Sequence, residues 1–459
     1  MKLWDELKKQ MLRHSDQKIC EGRAELSFEN AAIFAEIFAE KLSGIRCCAI
    51  MCKSEMAASM ALLACFAGGV TAVPLSKRYG NIHCKRILEK ISPDAVITDN
   101  DGAFQIHLMK NPCYVEPNVH PALIMCTSGT TGSPKGVMLS EKSILTNVFD
   151  IATYFNIGKT DSILITRPLY HCAVLTGEFL ISLVKGSKIR FYSDRFDPEV
   201  ILRLIDNYKV TVFCATPTLL RMLIRFDRSF KADALKHVCI SGECMDGDIG
   251  TDIANKFRQA EIYHVYGLTE AGPRVCYLPP VLFRKYPDRV GIPLKSISLK
   301  LIKSDGDSAS CGEEGVLWIK GENIMSGYYN DWCLTKKVLQ NGWLCTGDIA
   351  EIDDAGLLKI KGRKDNLIIR AGMNIYPQEI ESALRADKRV YEVVAYGYKG
   401  GMGQVQIGLK IAGDFDSEDD VLKLCSACLP SYEMPSRIEL VSDFVMSVSG
   451  KVMREISNV

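Results

Sequence analysis

Ten consecutive residues, Thr127-Ser128-Gly129-Thr130-Thr131-Gly132-Ser133-Pro134-Lys135-Gly136, combine glycines, hydroxyls and one lysine. Glycines let the backbone turn its amides toward one point, hydroxyls add donors, and the lysine adds a positive charge. Such a loop suits the holding of a polyphosphate. It is not a Walker loop, because Lys135 stands between Pro134 and Gly136 and the spacing Gly-x4-Gly-Lys-Ser/Thr is absent. A short glycine-rich turn by itself would read as a solvated bend, but ten residues of this mixture are far more specific.

The elements around the loop must position it. It follows the apolar run Leu123-Ile124-Met125-Cys126 and precedes Val137-Met138-Leu139. Similar short apolar strands, among them Cys47 to Met51, Ala95 to Thr98, Ile163 to Ile165, Val210 to Phe213 and Val238 to Ile240, alternate with amphipathic helices. That alternation predicts an α/β fold of parallel-rich sheets. Between about Val290 and Ile360 the pattern turns β-rich with Gly/Asp turns, which predicts a small β subdomain. Beyond Gly362-Arg363-Lys364-Asp365 come a strand, a helix opening at Pro377, strands at Val390 to Tyr396 and Gln404 to Ile411, a helix capped near Asp416 or Ser417, and a strand at Ser436 to Val441. This is the pattern of a small α+β domain. The 459 residues therefore divide into a large N-terminal domain, 1–364, and a small C-terminal one, 365–459.

Further chemistry-bearing segments follow in order: Tyr266-Gly267-Leu268-Thr269-Glu270, Gly342 to Asp348, Gly362-Arg363-Lys364-Asp365-Asn366, Ala371-Gly372-Met373-Asn374-Ile375-Tyr376-Pro377, and Ser449-Gly450-Lys451. With the loop at Thr127, this series resembles the adenylate-forming superfamily of acyl-CoA synthetases, nonribosomal-peptide adenylation domains and luciferases. Weaker echoes stand at Ala67 to Leu75, Ser241-Gly242-Glu243 and Gly321 to Tyr328, so the resemblance runs from about residue 45 to the C-terminus.

The resemblance implies a two-step reaction: a carboxylic acid is joined to the α-phosphate of ATP with release of pyrophosphate, and a thiol then displaces AMP. It implies that Thr127, Ser128, Gly129, Thr130, Thr131, Gly132 and Lys135 hold the β- and γ-phosphates. Thr269 would contact the α-phosphate and Glu270 the Mg²⁺, a hard carboxylate on a hard cation. Tyr266 and Gly267 would adjoin the adenylate, and Ser241, Gly242 and Glu243 would line the adenine pocket. Asp348 would accept both ribose hydroxyls with help from Arg363. Lys451 would bridge the substrate carboxylate and the α-phosphate. Asp365 stands at the hinge position, from which a mobile C-terminal domain presents Lys451 first and the Gly372 loop second. The terminal motif departs from the family's in lacking the proline often found upstream of Gly-Lys; the run here is Met446-Ser447-Val448-Ser449.

Amino-acid-activating members usually carry an aspartate in a Phe-Asp-x-Ser context for the α-ammonium. The corresponding region reads Arg167-Pro168-Leu169-Tyr170-His171-Cys172, without that aspartate, and resembles the Pro-Leu-x-His segment of acyl- and aryl-CoA ligases, with His171 at the acid's entrance. An acyl- or aryl-CoA ligase is the expected activity. A ligase acting on a carrier protein's phosphopantetheine and a stand-alone amino-acid adenylation enzyme remain alternatives.

Composition sets the surroundings. Lys+Arg number 56 and Asp+Glu 55, a net charge of +1, so no global field draws the chain to nucleic acid. Met56 to Leu75 holds twenty uncharged residues, but Gly68-Gly69 and Pro74 divide it into a helix and a strand, which argues against a membrane span. Many of the 18 cysteines sit inside apolar runs and read as small buried hydrophobes; with no secretory signal pattern at the start, they point to a reducing cytoplasm. Cys425-Ser426-Ala427-Cys428 lacks a second pair or nearby histidine and reads as a helix carrying two thiols rather than a zinc site.

Overall fold

A computed structural model of the chain describes residues 2–75, 81–100, 102–110, 112–127, 134–227, 229–245, 247–370, 373–400, 405–444 and 452. Strands such as Cys47–Ile50, Thr71–Pro74 and Val212–Ala215 are buried at every position, the behaviour of sheets covered on both faces. They assemble into two large sheets.

The nine-stranded sheet runs in the order Ile292–Pro293, Arg274–Leu278, Glu261–Gly267, His237–Ser241, Val212–Ala215, Ser162–Ile165, Lys188–Phe191, Lys18–Glu21, Ala24–Ser27. Its inner strands are parallel and its edges antiparallel. The seven-stranded sheet runs Gly327–Tyr328, Lys135–Leu139, Leu123–Thr127, Thr71–Pro74, Cys47–Ile50, Ala95–Asn100, Ala103–Leu108. One hydrophobic core draws on both sheets, with Met125, Val137, Ile163 and Cys214 in the same cluster. The helix Glu141–Tyr154 contributes Ile144, Val148 and Ile151 to that cluster, and its first turn is closed by Ser140, whose hydroxyl accepts from Ser143 N at 3.1 Å.

The uncharged run from Met56 resolves as read from its glycines: a helix Glu55–Gly68, capped by the left-handed Gly69, then the strand Thr71–Pro74. Among the described residues no helix is long and apolar enough to cross a membrane. Cys126, Cys214 and Cys239 are buried within strands, and Cys425 and Cys428 share the helix Glu418–Cys428.

The β-rich stretch forms a five-stranded sheet of Ile297–Ile302, Glu314–Gly321, Leu339–Gln340, Trp343–Ile352 and Leu358–Arg363. After it, a three-stranded sheet of Val390–Lys399, Val405–Gly413 and Arg437–Leu440 packs with the helices Pro377–Arg385 and Glu418–Cys428 around a core of its own. The fold is thus α/β, with large parallel-rich sheets, a smaller β sheet and a C-terminal α+β unit.

That C-terminal unit is docked by side chains. Arg225 lies 4.2 Å from the centroid of the Tyr391 ring and donates to Val390 O at 3.1 Å, while Arg221 stands 3.7 Å from Glu392. Tyr376 donates to Glu314 at 2.6 Å, and Lys361 pairs with Glu379 at 3.0 Å.

Candidate functional site

Tyr266 and Gly267 close the strand Glu261–Gly267, and Thr269–Ala271 form a single 3₁₀ turn just beyond it. A β-carbon on Gly267 would come within 2.1 Å of Pro273 O, so only glycine lets the chain fold back this tightly. Two fully buried amides brace the turn. Asn323 donates to Ala271 O at 2.6 Å, and Asn147 donates to Arg274 O at 2.8 Å. Met325 N donates to Glu270 O at 2.9 Å. The main chain of the turn is therefore held from three sides.

Asp348 sits mid-strand in Trp343–Ile352, opposite Arg363 in the neighbouring strand. The Tyr266 hydroxyl donates to Asp348 Oδ2, Arg363 lies 3.4 Å from Oδ1, and Thr346 Oγ1 accepts from Asp348 N at 3.0 Å. Only 6% of Asp348 is exposed. Burial pushes its carboxyl above the ordinary carboxylate range, while the Arg363 charge and the Tyr266 hydroxyl pull the other way. One carboxylate with a cation and a phenol at its side, at the junction of two sheets, is suited to receiving a vicinal diol.

Lys135 opens the strand Lys135–Leu139 and is paired across a hairpin with Thr127. The two strands that flank the phosphate-type loop thus pair antiparallel with each other. Lys90 Nζ donates to Pro134 O at 2.7 Å and steadies the exit. The short strand Gly327–Tyr328 pairs with Val137 and Met138, which places the Tyr328 ring 5.6 Å from Lys135 Nζ. Tyr328 in turn donates to Glu270 Oε1 at 2.8 Å. It joins two parts of the site that the motifs treat as separate. Nothing in the sequence singled it out beyond the weak echo ending at Tyr328.

Of the residues read from the sequence, Lys135, Tyr266, Glu270, Asp348 and Arg363 are thus linked into one region, and Thr269 and Thr127 belong to the same turn and hairpin. Ser241 ends the strand His237–Ser241, next to Glu261–Gly267 in the sheet, and its hydroxyl accepts from Arg167 at 3.4 Å. Gly242 has a positive φ of 100°. Glu243 Oε2 accepts from Thr218 N at 3.2 Å, at the start of the helix Pro217–Phe226. His171 is half-buried, with its ring 4.2 Å from that of Tyr170. Asp365 occupies the 3₁₀ turn Lys364–Asn366. Ser128 to Gly132, Gly372 and Lys451 lie outside the described residues.

A magnesium ion fits this donor set in one way. No group of three or more His, Cys, Asp or Glu side chains among the described residues would hold a metal unaided. Glu270 offers a hard oxygen donor, and its Oε2 accepts no hydrogen bond among the described residues. An ion sharing that oxygen with phosphate oxygens suits the site; a protein-caged ion does not.

The family model described as AMP-binding enzyme matches residues 8–329. The long-chain-fatty-acid–CoA ligase of Haemophilus influenzae is 31% identical over 355 residues, covering 75% of this chain and 63% of that protein. The indoleacetate–CoA ligase of Aromatoleum aromaticum is 28% identical over 340 residues, covering 73% of this chain and 66% of that protein. The match thus spans just under two thirds of the length of these relatives. Among solved structures, o-succinylbenzoate CoA synthetase from Bacillus subtilis with its acyl-adenylate intermediate aligns with a TM-score of 0.85 at 24% identity, over 100% of this chain and 98% of that one. The same enzyme with ATP and magnesium ion aligns with a TM-score of 0.83 at 24% identity, over 98% of each chain. These two likenesses are of fold.

Proposed function

This chain belongs to the AMP-binding enzyme family, and on that premise we propose that it joins a carboxylic acid to AMP at the expense of ATP and then passes the acyl group to the thiol of coenzyme A. The observation that carries this reading is the linkage of Tyr266, Asp348 and Arg363 at one point with Glu270, Tyr328 and Lys135 at the other. A diol-receiving carboxylate beside a cation and a metal-binding acid is what a ribose triphosphate requires. The names of the relatives, ligases of long-chain fatty acids and of indoleacetate with CoA, support the same chemistry.

In the first step a carboxylate oxygen bonds to the α-phosphorus and the bond to pyrophosphate breaks. In the second the thiol sulfur bonds to the acyl carbon, AMP departs, and the thiol proton is lost to solvent. The chain's own groups would position these steps. Asp348, with Arg363, would orient the ribose; Tyr266 holds Asp348 in place; Lys135, with the phosphate-type loop, would face the outer phosphates. Glu270 would hold Mg²⁺, which supplies charge neutralisation on the phosphates when bound. Lys451 would bridge the two anions of the first step. The division at Asp365 into residues 1–364 and 365–459, with the smaller unit presenting Lys451 and then Gly372, belongs to the same reading. Thiols buried within strands, among them Cys126, Cys214 and Cys239, support a cytoplasmic setting.

The test is acid-dependent exchange of labelled pyrophosphate into ATP with coenzyme A omitted, followed by thioester detection by mass spectrometry after addition of coenzyme A or a pantetheinylated carrier protein. Exchange followed by acyl-CoA formation is expected. Exchange without any acid, or none with a broad panel of acids, overturns the reading.

A further inference from the structure

Next to this region lies a buried charged cluster. Arg167 is 5% exposed and Glu178 fully buried, and they form an ion pair at 2.5 Å. Arg274 is 2% exposed and has no carboxylate within ion-pair reach among the described residues. Its guanidinium contacts the Cys239 sulfur at 3.7 Å, and its Nε has no partner. Arg167 Nε and Glu178 Oε2 are also buried without partners. Two guanidinium groups thus face one carboxylate in the interior. Burial drives the Glu178 carboxyl toward its neutral form, which leaves the cluster more positive still. Arg274 meets the Tyr154 hydroxyl and shares the one carboxylate with Arg167, so the cluster keeps an excess of buried positive charge, which is costly.

The location points to a ligand. Ser241 and Gly267 end parallel strands of the nine-stranded sheet, Arg167 follows a third strand by two residues, and Arg274 pairs directly with Gly267. The open end of such strands is where α/β sheets bind ligands. Only Ala271, Gly272 and Pro273 separate Arg274 from Glu270, and Arg167 touches Ser241. Gly177 and Glu178 lie in a π-helical segment, Leu175–Leu180, a form that recurs at functional sites. A β-carbon on Gly177 would stand 2.7 Å from Arg274 Nη2. The absence of that carbon is what gives the guanidinium its room.

We propose that this cluster is the far end of the acid pocket, and that the acid activated here carries a second anionic group, held by Arg274. The inference rests on the acid-activating reading above. A second carboxylate supplies the counterion that Arg274 lacks, in bidentate geometry. An alkyl chain ending there would offer the buried guanidinium no acceptor.

The experiment measures thioester formation with ATP, Mg²⁺ and coenzyme A over α,ω-dicarboxylates and matched monocarboxylates of equal chain length. For the wild type, kcat/KM is expected to favour the dicarboxylate by about tenfold or more. Arg274→Leu is expected to lose about 100-fold on the dicarboxylate and to gain on the monocarboxylate, while Arg274→Lys keeps part of the preference. Turnover confined to monocarboxylates, or a preference unchanged in a folded Arg274→Leu, overturns the inference and leaves the ligase reading standing. If Arg274→Leu does not fold, the wild-type panel decides alone. Absence of exchange with every acid removes both.

Discussion

The Tyr328 hydroxyl reaches Glu270 Oε1 at 2.8 Å, with the same ring 5.6 Å from Lys135 Nζ, so one phenol spans the space between the phosphate hairpin and the acid of the 3₁₀ turn. A hydrogen bond to an ionised group contributes about 1.5–3 kcal/mol. Tyr328→Phe leaves the packing intact and removes this bond, so Glu270 loses its orientation. Pyrophosphate exchange should fall about tenfold, with a higher Mg²⁺ requirement, as a magnesium titration of the exchange rate would show.

Asp348 links stability to function with opposite signs. Burial raises its folded pKa above the unfolded value of about 3.9. Between those two values the folded chain holds the extra proton, so stability falls as pH rises through the window, and at neutral pH the buried charge is a cost. Asp348→Asn should raise the melting temperature at pH 7, leave it unchanged below the window, and weaken ATP and AMP binding about 100-fold. Calorimetry across pH paired with nucleotide titration checks both halves; a lower melting temperature at pH 7 would contradict the argument.

At the other seam, Arg221 and Arg225 of one helix grip Tyr391, Val390 and Glu392 of the C-terminal unit. Burial works to raise the Glu392 carboxyl, but the Arg385 and Arg221 charges more than offset it and hold it below the usual range. The pair is largely buried, but Glu392 keeps Arg385 as a partner when Arg221 is removed, so the loss is about 1 kcal/mol. Arg221→Ala should speed limited proteolysis between Asp365 and Pro377 roughly fivefold.

Lys451→Ala should abolish acid-dependent pyrophosphate exchange yet still convert a supplied acyl-adenylate and coenzyme A to thioester. Equal loss of both half-reactions would remove the assignment of Lys451 to the first step alone.

Much of the candidate site could be read from the chain because its groups sit in short local patterns. Tyr266 through Glu270 is a strand end and one turn, and Asp348 and Arg363 come from adjacent strands, so spacing preserved their identity. The alternation of buried strands with helices was legible for the same reason. Tyr328 was not, since its role depends on a two-residue strand pairing with Val137 and on a turn elsewhere in the chain. Arg167, Glu178 and Arg274 were hidden too: each stands alone in sequence, and only sheet register and a π-helical turn make them neighbours. The pairing of Thr127 with Lys135 likewise depends on the register of two strands rather than on a local pattern.

The contact between Gly177 and Arg274 also constrains the order in which this pocket can change over generations. A methyl group at position 177 collides with the guanidinium while Arg274 is present, at 2.7 Å, and the three nearest atoms it would meet all belong to that side chain. Gly177→Ala should therefore be harmful on its own and tolerated after Arg274→Leu, and a double-mutant cycle should show coupling of about 1–3 kcal/mol. A lineage leaving this specificity would have to lose the cation before it could fill the space, and one arriving at it would have to empty the space first.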